Sequence, residues 1–125
     1  MATIKSFTSL EQSRKLAEIL PLESADQTWS RIAIAGANLD VPEELQYRHN
    51  GDMPFQYYSG IGTPCWSLAS LLSVLPKIIN NETLFIETSA TLWHIGYRNI
   101  YIARADNPVD ACVEMIIRLN ELKML

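Results

Sequence analysis

Nothing in this sequence is concentrated enough to announce a chemistry at once. There are only two histidines, His49 and His94, and two cysteines, Cys65 and Cys112. None of the four has a neighbour at ligand spacing, so neither a metal site nor a cofactor is expected. Glycine is sparse, and Gly60-Ile61-Gly62 runs into Thr63-Pro64 rather than Gly-Lys-Thr, which excludes a phosphate-cradling loop. Ten basic residues stand against fourteen acidic ones, a net charge of −4. A general nucleic-acid binder needs a surplus of Lys and Arg to displace counterions, and that surplus is missing. No apolar run approaches the roughly 20 residues of a membrane span. Residues 1–20 hold Lys5, Glu11, Arg14, Lys15 and Glu18 with no continuous apolar stretch, so no secretory leader is expected. The thiols are accordingly read as reduced, and the chain as cytoplasmic.

What is present belongs to an ordinary folded domain: 48% hydrophobic and 19% charged residues in 125, enough for one core. The clearest signal is the C-terminal stretch, residues 105–125. Asn107 reads as a helix N-cap and Pro108 as the first helical residue, where a missing N–H costs nothing. Val109, Cys112, Ile116, Leu119 and Leu122 then recur at helical spacing. Glu114 precedes Arg118 by four residues, the favourable order for an exposed pair. Near the other end, Thr8-Ser9-Leu10-Glu11 has the form of a capping box, and Pro21 stops the helix it opens, about residues 9–20. Thr63-Pro64 repeats the Asn107-Pro108 pattern, and predicts a middle helix with Cys65, Leu68, Leu72 and Leu75 on one stripe, closed by Pro76.

Between the helices the pattern shortens to strands. Residues 29–35 alternate and predict one strand. Residues 84–88, 92–96 and 100–103 predict three more, with turns at Ser89-Ala90 and Tyr97-Arg98-Asn99 and a loop over 77–82. Residues 38–63 are punctuated by Pro42, Gly51, Pro54, Gly60 and Gly62, and predict a long connection with a short edge strand at 55–59. The expected fold is α+β, a two-layer sandwich in the order α-β-loop-α-β-β-β-α, with an antiparallel three- to four-stranded sheet packed by helices and extended or backed by the N-terminal helix and strand. It is one domain over residues 1–125, with a helix–three strands–helix core at 63–125 and an N-terminal helix, strand and loop at 1–62. Both faces of the three-stranded sheet carry apolar residues. That predicts a cover for the second face, either the N-terminal segment or a second subunit in a homodimer.

Three helical segments, residues 9–26, 64–76 and 106–122, cover somewhat over a third of the chain. They resemble small proteins of gut Bacteroidetes and their phage-like mobile elements. More loosely, the three strands followed by an Asn-Pro helix look like phage-derived α/β sandwich domains. The resemblance implies an origin in a mobile element or phage and an accessory role. It brings no catalytic residue with it.

Two chemistries can be built from the residues. A cysteine in the first turn of a helix has a lowered thiol pKa. Cys65 there, His94 on a later strand and Asn99 beyond it would follow the chain order of a papain-like cysteine hydrolase. Against this stands the apolar stripe Cys65 shares, which predicts a buried structural thiol. The helix–three strands–helix order is also that of double-stranded-RNA-binding modules. Those need cations at the start of the last helix, whereas here Asp106 and Asp110 stand there, with only Arg98 and Arg104 nearby, so nucleic acid is not an expected partner. The remaining candidate is protein binding through Tyr47, Phe55, Tyr57, Tyr58 and Trp66, aromatic residues on and beside the long connection. The sequence therefore favours a non-enzymatic interaction domain whose partner is another protein or itself.

Overall fold

The computed structural model describes residues 5–30, 47–49 and 62–125. Helix α1 is Leu10–Ala17, followed by a 3-10 turn at Leu22–Ser24 and strand β1 at Gln27–Ser30. Strands β2, Tyr47–His49, and β3, Gly62–Cys65, flank β1 antiparallel on either side. Helix α2 is Leu68–Val74. A small hairpin follows, β4 at Ile78–Ile79 and β5 at Glu82–Thr83. The meander is β6, Phe85–Ser89, β7, Leu92–Tyr97, and β8, Tyr101–Ala105, and the chain closes on α3, Pro108–Glu121. The fold is α+β, with helices packed against antiparallel sheets.

Helix α3 forms as its sequence dictates. Asn107 is the cap, its side-chain oxygen accepting from the Asp110 N–H at 2.8 Å, with Pro108 at the first turn. Its inner face, including Val109, Cys112, Ile116 and Leu119, is fully buried against Ile95, Tyr97 and Ala103 of the meander. Cross-strand register explains the division of the sheet: Ile95 pairs with Ala103 and Tyr97 with Tyr101 on the α3 side, while His94 pairs with Glu87 and Arg104 on the other. The exposed helical pair is rearranged. Arg118 meets Glu121 at 3.1 Å, because Glu114 accepts a hydrogen bond from the Tyr101 hydroxyl at 2.8 Å.

The N-terminal half departs further from expectation. The capping box of α1 is shifted by one residue: Ser9 is the cap and Gln12 reaches back to it. Thr8 is unavailable as a cap because its hydroxyl is buried, 2.7 Å from Ser13 Oγ, where it also accepts the Trp66 N–H at 3.1 Å. Thr63-Pro64 does not open a helix. These residues lie in β3, an edge strand, where proline is tolerated because its missing N–H can face away from the ladder. Helix α2 starts four residues later, at Leu68, capped by Ser67. Asp26 locks that cap, accepting from the Ser67 N–H at 2.9 Å and from its hydroxyl. Nor does the N-terminal strand extend the meander; β1 centres a separate sheet, and its neighbour β3 packs on α1. The loop expected over 77–82 is the β4–β5 hairpin, turned by Asn80 and Asn81 at φ 50° and 68°, the left-handed pair asparagine tolerates in a two-residue turn. Residues 31–35 of the expected first strand and the edge strand at 55–59 lie outside the described residues.

Candidate functional site

Cys65 sits at the end of β3 with no exposed surface. Its sulfur is 3.5 Å from the Thr8 carbonyl oxygen, 3.6 Å from the Thr8 hydroxyl and 3.9 Å from Gln27 Oε1. Burial pushes the thiol pKa up to about 11, against the smaller opposing pull of hydrogen bonds from Thr8 and Ser13. The premise of an activated thiolate at a helix N-terminus thus fails twice, in the element and in the direction of the shift. His94 lies on the meander face turned away from α3, where its Nε2 is 2.7 Å from Ser89 Oγ. Asn99 belongs to the β7–β8 turn at φ 65° and donates to Glu82 Oε1 at 3.0 Å. The structure does not gather Cys65, His94 and Asn99 into one cleft: the first packs toward α1, and the other two lie on a different sheet and its turn. Cys112 is equally buried, its pKa pushed up to about 12 by desolvation.

The predicted aromatic surface is also redistributed. Trp66 is fully buried in the core, its indole N–H donating to Ser24 Oγ at 2.9 Å, so it seals the interior and offers nothing to a partner. Tyr47 lies in β2, opposite Trp29. Phe55, Tyr57 and Tyr58 lie outside the described residues. Asp110 holds the first turn of α3 to the N-terminal segment, accepting from Lys5 Nζ and Gln12 Nε2, each at 2.7 Å. Partial burial raises its pKa, but the hydrogen bonds from Lys5, Gln12 and Asn107 prevail and hold it below the usual value. Among the described residues no group of three or more His, Cys, Asp or Glu could hold a metal, and no helix is long and apolar enough to cross a membrane.

What the structure does assemble is an open strand edge with a recess on each side. The two-residue turn at Ala90 and Thr91 makes Ser89 and Leu92 a hydrogen-bonded pair, so alternate β7 residues 92, 94 and 96 bond toward β6. Residues 93, 95 and 97 then bond toward β8, engaging Tyr101, Ala103 and Ala105. Ile102 and Arg104 therefore present their backbone N–H and C=O groups to the outer side of β8. Among the described residues no strand pairs with that side. On the α3 side runs a groove of about 420 Å3 floored by Val113 and Ile117 and rimmed by Tyr101, Glu114, Arg118 and Glu121. Arg118 lies over the Tyr101 ring at 5.3 Å. On the opposite side a recess of about 290 Å3 includes Asn99, Ile102 and Arg104. Sequence reasoning registered Arg104 only as a scarce cation. Its place on a terminal strand follows from the meander order, which was legible, but the larger groove comes from the seating of α3 and the smaller recess from the β7–β8 turn.

No family model, no curated protein and no solved structure matches this chain.

Proposed function

We propose that this chain is a non-enzymatic accessory domain that works by binding a protein partner in the cytoplasm, with an origin in a mobile element or phage. The observation that carries the binding role is the open edge of β8, with a recess on either side. Unpaired backbone groups at a sheet edge are a template for another chain, and proteins usually blunt such edges. The desolvated, hydrogen-bonded Cys65 supports a structural role for that thiol, and two free buried cysteines accord with a reducing compartment. The helical segments that resemble mobile-element proteins support the assignment of origin.

Site-selective photo-crosslinking tests this reading. A photoreactive amino acid at position 104 is expected to capture one discrete protein in an extract of the encoding cell, whereas the same group at exposed Leu22 captures none. Equal labelling at both positions, or at neither, would sink it.

A further inference from the structure

Resting on that reading, we propose that the partner contributes an extended peptide which adds to β8 as a fourth strand of the meander. Strand addition draws its affinity from main-chain hydrogen bonds and its specificity from pockets that receive alternate side chains. Both requirements are met at this edge. Ile102 and Arg104 supply the open backbone groups, and successive residues of an added strand point to opposite faces. One set enters the groove beside α3, and the next set lies over the recess at Asn99, Ile102 and Arg104.

The charges distinguish the two sets. In the α3 groove, Val113 and Ile117 offer an apolar floor, and Glu114 and Glu121 are exposed at the rim. The Arg118 guanidinium in that groove is already held by Glu121 at 3.1 Å and by the Tyr101 ring. Asp110, also on this groove, is held by Lys5 and Gln12. That leaves Glu114, accepting from the Tyr101 hydroxyl, as the carboxylate that faces the groove without a cation among the described residues. The groove suits a long aliphatic side chain ending in a cation, its stem on the floor and its head at Glu114. On the other face, exposed Arg104 stands directly across from His94, which suits an acidic side chain. The ligand is therefore a strand-forming peptide whose residues alternate between basic or aliphatic toward α3 and acidic toward Arg104.

The test pans a random heptapeptide library on the full chain, then maps the winning peptides by amide chemical shifts and hydrogen exchange. Winners showing this alternation and protecting the Ile102 and Arg104 amides are expected. Arg104→Pro removes the edge N–H without touching a bond to β7. It should weaken binding roughly tenfold beyond Arg104→Ala, about the worth of one backbone hydrogen bond. Should Arg104→Pro fail to fold, Glu114→Arg on the exposed side of α3 serves instead, and is expected to turn the α3-facing preference from basic to acidic. Three results overturn the proposal: no peptide tighter than about 1 mM, winners that map away from β8, or β8 amides protected by the protein's own concentration-dependent dimerisation. Winners mapping elsewhere would leave the protein-binding role standing and remove only this site.

Discussion

The meander with α3 and the N-terminal assembly of residues 5–30 with β3 are stabilised in different ways. In the first, neighbours in space are neighbours in sequence: β6, β7 and β8 are joined by short turns, and α3 folds straight back over them. Its core is apolar, and its main polar device is a local cap. In the second, the organising residue is Thr8, whose partners are Ser13 nearby but also Trp29, Cys65 and Trp66, up to 58 positions away. Its interior is partly polar, with Thr8, Ser13, Gln27 and Thr28 all buried. A polar interior stabilises only while every member keeps its partner, whereas an apolar one tolerates imperfect fit. The lesson is that one fold combines a self-explanatory half with a half that depends on long-range hydrogen bonds.

The sharpest way to break the local half is Gly96→Ala. A Cβ there would stand 2.3 Å from the Tyr101 carbonyl oxygen and 2.7 Å from the Ile102 Cα, both backbone atoms of the adjacent strand. A loss of about 3 kcal/mol or more is expected in urea unfolding, since the strands must separate to admit it. A variant as stable as the parent would mean that β7 and β8 are less closely apposed. Next comes Thr8→Val, which keeps the shape but strands the Trp66 N–H and the Ser13 hydroxyl in the interior. A cost of about 1–3 kcal/mol is expected. Hydrogen exchange should show protection lost first around β1 and β3, and uniform loss across α3 as well would erase the contrast between the halves. Asn107→Ala tests the local cap together with the bond its amide donates to Asp110 at 2.7 Å. It should cost about 1 kcal/mol, most of it recovered by Asn107→Ser, which can cap by the same geometry.

The smallest effect joins the two halves. Asp110 binds Lys5 across the boundary, and both side chains are about one-third exposed, which limits the contribution through solvent screening. The sign follows from its lowered pKa: the folded state favours the carboxylate. Its stabilisation is complete above the ordinary carboxylate value of about 4 and is lost as pH falls through the lower folded value. Thermal melts from pH 5 downward should decline less steeply for Asp110→Asn than for the parent. Identical slopes would detach Asp110 from the link.

These contrasts also explain what could be read in advance. Asn107-Pro108, the apolar period behind it and the three strands before it were legible because each signal acts on its own neighbourhood. Thr63-Pro64 misled because a hydroxyl before proline suits a helix start and an edge strand equally, and the choice was made by the pairing of β3 with Gln27–Ser30 and by Asp26 capping at Ser67. Cys65 shared a plausible helical stripe, yet its actual surroundings are Thr8 and Gln27, which no local pattern announces. Trp66, read as surface material beside a loop, was drawn inside, where its N–H found Ser24.

By itself, then, the sequence determined the class of fold, the terminal helix and its cap, and the three-stranded meander, because backbone propensity, capping and short turns are decided within a few residues. Only the tertiary structure decided that the N-terminal strand founds a second sheet, that Thr8 and Gln27 surround the thiol whose burial the apolar stripe predicted, and that among the described residues no strand pairs with the outer side of β8. Those outcomes depend on which distant groups satisfy one another's hydrogen bonds and on where a helix comes to rest on a sheet. No window of sequence contains that information.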